Sequence, residues 1–234
     1  MNYNKEIQSF LYLEKNKISF AIFENLNHLV FIKNEFFSDN TNDYGYIINK
    51  FLEKNLFTIE KKIQKYIKNV NVILNHDQFL EINISIKDFR KNNKITKDDV
   101  QYLISDLKKQ VLGNNNDYSI ISIKINNFRI NEKIFENFEE IIDCKNYCIE
   151  TSFIILSNVI KQNLILQLSK VELELNKIMS TKSINSQIIH EPNNNEEMMK
   201  AAKYFYTGAQ NEVYLVSKNK EKKGFFEKVF NFFG

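Results

Sequence analysis

Short apolar runs separated by polar turns fill the first part of the chain and predict β-strands. The runs are Ser9–Leu13, Ile18–Phe23 and Leu29–Phe36, and the polar stretches between them are Glu14–Lys17 and Glu24–Asn27. Because each turn is short, the three strands are predicted to form a meander.

The pattern then changes from strand-like to helical. Apolar residues recur at helical spacing over Ile48–Ile67, and Thr41 and Asp43 stand before them as candidate caps. Val70–Leu74 is again a strand-like run. The first seventy-five residues are therefore predicted to fold in the order β-β-β-α-β.

A second unit is predicted from Phe79 onward. Apolar and polar residues alternate from Leu80 to Ile86, which is typical of a half-buried strand. Thr96 and Asp99 match a capping box, with Asp in place of the usual Glu or Gln, ahead of apolar residues at helical spacing. The remaining predicted elements are strands at Tyr118–Ile125, Phe128–Ile130, Tyr147–Leu156 and Val171–Ile178, a turn at Asn126-Asn127 and a helix at Val159–Leu168. The order β-α-β-β-α-β predicts a small α+β module.

Beyond residue 180 the periodicity weakens. Pro192 and Asn193–Asn195 predict a polar linker, Glu196–Tyr206 a helix and Asn211–Val216 a short strand.

The last eleven residues, GFFEKVFNFFG, are amphipathic. On a helix at about 100° per residue, their apolar positions fall within an arc of roughly 160°. A lysine-rich stretch over Lys218–Lys223 comes before them. This combination is typical of a helix that lies in a membrane surface. The predicted membrane contacts are Phe225, Phe226, Val229, Phe230, Phe232 and Phe233, with Lys222, Lys223 and Lys228 as electrostatic support.

The length of this tail predicts that it lies flat on a bilayer and does not cross it. Eleven helical residues cover about 16 Å, whereas a bilayer core is about 30 Å thick. The alternative is a C-terminal helix that docks on the protein's own core.

Charge and composition support a peripheral membrane protein. The net charge is +3, and residues 218–234 carry five Lys against two Glu, so the remaining 27 basic and 27 acidic residues balance. A nucleic-acid-binding protein would spread a larger basic surplus over its folded body. No signal peptide and no run of eighteen apolar residues is visible. We expect a cytosolic body with its tail on the inner face of a membrane.

Motifs for catalysis or metal binding do not emerge from the sequence. Cys144 and Cys148 have no second ligand pair near them, and we expect packed thiols in a reducing compartment. The acidic pairs Asp98-Asp99 and Glu139-Glu140 lie in charged segments and are typical of solvated surfaces. We expect that the protein is not an enzyme.

The order of these elements resembles the bacterial cell-division protein FtsA, an actin-fold relative. In that family a β-β-β-α-β half-domain carries an inserted module of the SHS2 type and a C-terminal amphipathic membrane helix. The similar segments are Lys94–Val100, Tyr118–Ile125, Phe128–Asn131, Cys148–Phe153 and Asn163–Leu175. The resemblance implies an actin-like subdomain made of residues 1–77 with part of 179–217, an inserted module over 78–178 and a membrane-targeting tail over 218–234.

Two departures from the family bear on nucleotide binding. FtsA proteins carry a glycine-containing phosphate loop after the first strand, where this chain reads Tyr12-Leu-Glu-Lys15. Glycine lets backbone N–H groups approach phosphate oxygens, and the Glu14 carboxylate would repel them. The second subdomain pair, which supplies the adenosine pocket and the contact to FtsZ, has no room in this sequence. We expect no ATP binding, and contact with FtsZ is left open.

The resemblance implies a scaffold for cell-division proteins on the cytoplasmic membrane, with mid-cell as the expected place of concentration. Weak tails brought together by self-association would gain avidity, and the inserted module would bind partners. An actin-like adaptor of pilus or secretion assembly is the alternative, and a nucleic-acid-binding α+β module is a third reading.

Overall fold

The computed structural model describes residues 7–24, 28–37, 44–89, 95–131, 133–135, 144–185, 192, 194–208 and 212–213. The chain divides into two compact units, Met1–Gln78 with Asn158–Thr207 and Phe79–Ser157 with Gly208–Gly234. The secondary structure elements are, in chain order, β1 Ile7–Leu13, β2 Lys17–Glu24, β3 His28–Phe36, α1 Tyr44–Ile63, β4 Asn69–Leu74, β5 Phe79–Phe89, α2 Lys97–Asn114, β6 Tyr118–Ile130, β7 Lys133–Phe135, β8 Asn146–Ser157, α3 Asn158–Ser169, β9 Glu174–Ser180, α4 Thr181–Asn185, α5 Asn195–Gly208 and β10 Glu212–Val213.

A mixed five-stranded sheet organises the first unit. Its strand order is β3-β2-β1-β4-β9. The first three strands form the predicted antiparallel meander, while β4 runs parallel to β1 and β9 runs parallel to β4. Strands β1 and β2 are almost continuously apolar and buried, as expected for central strands covered on both faces. The α+β class and the β-β-β-α-β order of the half-domain are confirmed.

Helix α1 ends one turn earlier than the sequence pattern predicted. Gln64 adopts a left-handed conformation with φ of 55°, which terminates the helix after Ile63. Ile67, predicted to lie on the helix, is instead buried in the loop that follows. Its backbone N–H donates a hydrogen bond to the Glu60 carboxylate at 2.8 Å, which satisfies a donor that the helix would otherwise have used.

The second unit is a sheet with one helix on one face. The main strand order is β10-β6-β8-β5, and β7 pairs with β6. The predicted capping box at the start of α2 is present, because the Thr96 side chain and the Asp99 side chain each bond to the other residue's backbone N–H. Apolar side chains of α2 and of the facing side of the sheet form one core, which includes Leu103, Leu107, Ile123, Phe128, Tyr147, Ile149 and Phe153.

The inserted module ends earlier than predicted. The boundary was expected at residue 178, but the second unit gives way to the first at Asn158. Strand β9 pairs with β4 and not with any strand of the module, and α3 packs against α1. The reason is that a parallel partner for β4 needs a long crossover connection, and the module with α3 supplies it.

The predicted turn at Asn126-Asn127 is also wrong. The chain continues through it as one long strand, β6, and accommodates the extra residue as a register shift between Ile125 and Asn127. A bulge keeps Ile125 and Phe128 on the core face, because it restores the alternation that one added residue would reverse. No helix in the part of the chain that the structure describes is long and apolar enough to cross a membrane.

Candidate functional site

The carboxyl edge of the parallel strands is where ligands bind in many α/β sheets. In the first unit, β1, β4 and β9 are parallel and end at Leu13, Leu74 and Ser180. The residues that follow each strand, among them Glu14 and Thr181, therefore lie along one edge of the sheet. A nucleotide in an actin-like half-domain would place its phosphates at the β1–β2 turn on this edge.

This turn is closed by side chains of the protein itself. It is a tight hairpin, in which the Glu14 N–H donates to the Lys17 carbonyl at 2.9 Å. Asn195, the first residue of α5, is 6% exposed. Its side-chain amide donates to the Glu14 carboxylate and to the Ser19 hydroxyl, both at 2.6 Å. Asn195 thus links the start of α5 to the turn and satisfies the polar groups there.

The charge of Glu14 is unfavourable for a phosphate at this turn. The Lys17 ammonium lies 4.0 Å from the Glu14 carboxylate, at the limit of an ion pair. Burial and then the negative charge of Glu14 raise the pKa of Tyr12 to about 12. The Glu14 carboxylate would repel a phosphate anion for the same Coulombic reason that it disfavours the Tyr12 phenolate. The turn therefore holds the Glu14 carboxylate at the position where a nucleotide-binding half-domain would carry a glycine-lined phosphate loop.

The other strand ends on this edge are also occupied by protein contacts. The Thr181 hydroxyl contacts the side-chain oxygen of Asn75 at 3.4 Å. The Ser183 N–H donates to the Ser180 hydroxyl at 3.1 Å, which caps the short helix α4. Within the described ranges, no cluster of three or more His, Cys, Asp or Glu could hold a metal ion.

A second candidate surface is the face of the second unit's sheet that lies opposite α2. A shallow depression of about 620 Å³ opens there. Its lining residues come from three adjacent strands and none of them is aromatic: Ser85, Lys87, Arg129, Asn146, Cys148 and Glu150. The Arg129 guanidinium pairs with the Glu150 carboxylate at 3.2 Å. Because the depression has no aromatic side chain and this cation is neutralised, it does not fit a base-stacking platform.

Hydrogen bonds between side chains tie this face together across strands. The Asn126 amide donates to the Ser152 hydroxyl at 2.8 Å, and that hydroxyl donates to Asn83 at 2.5 Å. A continuous polar row therefore crosses β6, β8 and β5. Such a hydrogen-bonded polar row is suited to contact with another protein surface, whose rim is polar in the same way.

The cysteines and the tail have different outcomes. Neither cysteine forms a disulfide, and Cys144 is buried as predicted, whereas Cys148 is only half-buried and lines the depression. The predicted membrane contacts Phe225, Phe226, Val229, Phe230, Phe232 and Phe233, with Lys222, Lys223 and Lys228, lie outside the described residues and stay a prediction. The contact of Asn195 with Glu14 gave no sequence signal, because the two residues are 181 positions apart.

No protein-family model matches the chain, and no curated protein resembles it in sequence at a significant level. Several solved structures resemble the fold, and three of them illustrate the similarity. The cytoplasmic domain of EpsL, an inner membrane component of the type II secretion system of Vibrio cholerae, is 8% identical over 80% of this chain and 61% of its own, with a TM-score of 0.39. A PilM–PilN type IV pilus biogenesis complex is 7% identical over 77% of this chain and 48% of that chain, with a TM-score of 0.48.

The third is a Bacteroides thetaiotaomicron protein with an actin-like ATPase fold and unknown function. It is 15% identical over 79% of this chain and 58% of its own, with a TM-score of 0.31. This chain spans about half to three-fifths of the length of the three structures. The observed strand order fits an actin-like half-domain with an inserted module. None of the three is FtsA, so that closer resemblance stays a prediction.

Proposed function

We propose that this chain is a non-catalytic scaffold or adaptor that holds other proteins at the inner face of a membrane. The observation that carries the proposal is the closed β1–β2 turn, where Asn195 bonds to Glu14 and Ser19. A half-domain that used ATP would need an open turn with backbone N–H groups available to phosphate. A carboxylate tied into the fold at that position supports a body that binds proteins without turning over a nucleotide.

The second unit supports the adaptor role with an ordered surface. Its polar sheet face carries the hydrogen-bonded row through Asn83, Ser152 and Asn126. These three side chains already hydrogen-bond to one another, and this lowers the cost of burying the row against another protein. We assign partner binding to this unit, over residues 79–157.

The assembly in which the adaptor works is proposed in two versions. The resemblance to FtsA favours cell division, and the alternative is pilus or secretion assembly. Two of the similar solved structures belong to a type II secretion system and a type IV pilus biogenesis complex, so that setting is to be tested first. A fluorescent fusion separates the versions, because a division scaffold concentrates in a mid-cell band and a secretion or pilus adaptor gives scattered foci.

Membrane attachment by the tail is tested with the full chain and anionic lipid vesicles. Co-sedimentation is expected to fall as salt rises, because the lysines act through screened electrostatics. Phe226→Glu with Phe230→Glu is expected to abolish it, since charged residues replace the apolar wedge. The matched control is Phe36→Glu with Phe57→Glu, two phenylalanines of the described body that are 74% and 77% exposed. If the control pair loses binding as strongly as the tail pair, attachment does not depend on the tail.

The remaining parts of the proposal have their own readouts. Calorimetry with ATP and magnesium is expected to give no binding, and saturable binding would overturn the non-catalytic assignment. A nucleic-acid-binding module would show salt-sensitive oligonucleotide binding that survives Phe226→Glu with Phe230→Glu. We expect no such binding, because Arg129 on the polar face is neutralised by Glu150.

A further inference from the structure

The last strand of the second sheet, β5, has an edge that no described strand covers. β5 runs for eleven residues, Phe79–Phe89, and pairs with β8 along its whole length on one side only. It contains neither proline nor glycine. Long edge strands of this kind are usually interrupted or covered in natural proteins, because their backbone groups template another strand. The edge of β5 is therefore a candidate for strand pairing between chains.

One hydrogen bond shows which backbone groups face this edge. The Thr151 hydroxyl, on β8, donates to the Ile84 carbonyl at 3.0 Å, and Thr151 is the residue directly opposite Ile84. The Ile84 carbonyl therefore points toward β8. Because backbone groups alternate in direction along a strand, those of Asn83 and Ser85 point away from β8.

The sequence of β5 is complementary to itself when two copies are paired antiparallel about Ile84. In this register Glu81 lies opposite Lys87 of the second copy, and Asn83 lies opposite Ser85. The two Ile84 residues form a non-hydrogen-bonded pair, in which side chains approach most closely. On the core side, Ile82 lies opposite Ile86. Only Leu80, which would lie opposite Asp88, is poorly matched.

The half-buried isoleucines give this pairing a hydrophobic component. Ile82, Ile84 and Ile86 pack against the core of the second unit but are only partly buried, because β5 is the outermost strand. A second β5 would place three more isoleucines beside them and continue the same apolar face into the second copy.

The register is restricted by parity. Opposing residues of an antiparallel pair must lie on the same face of the sheet, so a two-fold axis can pass only at a residue and not between two residues. Centring the axis on Asn83 would place Glu81 opposite Ser85, and centring it on Ser85 would place Glu81 opposite Phe89. The register centred on Ile84 alone pairs the two opposite charges and uses the full strand.

The outer strands of the first sheet lack this property. Centred on its middle residue, β3 would place Phe31 opposite Lys33, and only an axis at Asn34, which leaves part of the strand unpaired, would bring Lys33 opposite Glu35. Both of those side chains are already bonded within the chain, Lys33 to Asn55 and Glu35 to Lys54. Centred in the same way, β9 would place Lys177 opposite itself, and directly opposed like charges are destabilising. The complementarity of β5 is therefore a feature of this edge and not of edge strands of the chain in general.

We propose that two copies of this chain pair through their β5 strands, antiparallel about Ile84, to form one continuous sheet across a two-fold axis. The occupant of the edge is a second copy of the chain because the strand's own charges complement each other. The inference rests on the proposed function only for what the dimer would do. A dimer carries two tails, and two linked weak membrane sites bind far more tightly than a single one. The pairing itself needs neither lipid nor another protein.

The test is sedimentation equilibrium of the full chain, without lipid, from about 1 to 100 μM. A dimer is expected. Glu81→Lys alone or Lys87→Glu alone places like charges opposite each other at two symmetric positions, and each is expected to raise the dissociation constant on the order of 30-fold. The double variant exchanges the two charges and is expected to restore dimerisation. Within one copy the two residues are about 20 Å apart, so an internal ion pair cannot explain such a rescue.

Two controls keep the outcome specific. Lys109→Glu makes the same change of net charge as Lys87→Glu, on an exposed position of α2, and is expected to leave the dimer intact. Phe226→Glu with Phe230→Glu is also expected to leave it intact, which excludes association through the tail. Circular dichroism confirms that each variant is folded.

The proposal is overturned by a native chain that stays monomeric, which is also the result expected if β5 serves a strand of another protein. A dimer that ignores both single charge reversals, or that the double exchange does not restore, overturns it as well. A monomer that still binds vesicles would contradict the β5 dimer and leave the proposed function intact. A dimer that binds no vesicles would support the β5 dimer and contradict the proposed membrane attachment.

Discussion

The contact between Asn195 and the β1–β2 turn can be tested by removing it. Asn195→Ala deletes two hydrogen bonds at 2.6 Å, one to the Glu14 carboxylate and one to the Ser19 hydroxyl. A bond to a charged group contributes about 1.5–3 kcal/mol and a neutral one about 0.5–1.5 kcal/mol. Because the Glu14 side chain is 34% exposed and can be rehydrated, we expect a net loss of about 2 kcal/mol in the free energy of unfolding.

A double-mutant cycle assigns that loss to the pair. Glu14→Ala and Asn195→Ala together should destabilise less than the sum of the two single changes, with a coupling of about 1–2 kcal/mol. Asn194→Ala is the matched control. Its side chain accepts a hydrogen bond from the Glu197 N–H at 3.0 Å, so it caps α5 without touching Glu14. It should cost about 1 kcal/mol and show no coupling to Glu14→Ala.

The assay combines urea unfolding with hydrogen exchange. The second unit serves as an internal reference, because Asn195, Glu14 and Ser19 all belong to the first. Amides of β1, β2 and α5 should exchange faster in Asn195→Ala, while those of α2 should not change. Equal coupling of Glu14 to Asn194 and to Asn195, or no coupling to either, would refute the reasoning that Asn195 holds the turn closed.

Two further predictions concern the first unit. A Cβ on Gly45 would lie 2.6 Å from the amide end of the Asn163 side chain, which must shift to make room, so Gly45→Ala is expected to destabilise the native chain by no more than about 1 kcal/mol. In an Asn163→Ala background the clash is gone and the same change should stabilise by up to about 1 kcal/mol, since alanine favours the helix; urea unfolding measures the reversal of sign. The pKa of Tyr12 is raised to about 12 from its ordinary 10.0, so the unfolded chain loses this proton first and stability falls as pH rises from 10 towards 12. Tyr12→Phe should remove up to about 2.7 kcal/mol of that fall. The urea unfolding midpoint of the variant is therefore expected to decrease less than that of the native chain as pH rises from 10 towards 12.

Local patterns were sufficient for the elements whose stability is local. The capping box at Thr96 and the apolar stripe of α2 occur within one helix, and both agree with the structure. The strands of the meander were predicted within two residues of their observed ends, because continuous β-branched and aromatic runs have few alternatives in a buried sheet. The tail is a sequence pattern throughout, and its membrane role depends on no described contact.

Two of the failures of sequence reasoning are matters of strand pairing. Nothing near β9 indicates that it joins β4, which lies about a hundred residues earlier and on the far side of the module. Asn126-Asn127 has the composition of a turn, yet the two neighbouring residues Ile125 and Phe128 hold it in β6 by packing into the core. In both cases the burial gained by pairing exceeds the weak local preference.

The sequence by itself determined most of the strands and helices, the absence of glycine from the β1–β2 turn and the amphipathic character of the last eleven residues. These depend on neighbours within a turn of helix or along one strand. Only the tertiary structure decided that α3 belongs to the first unit, that β9 completes its sheet, that Asn195 reaches Glu14, and that β5 is left at the edge of its sheet. Those outcomes depend on which distant surfaces bury each other, and the free energy of that burial is not encoded in any single segment.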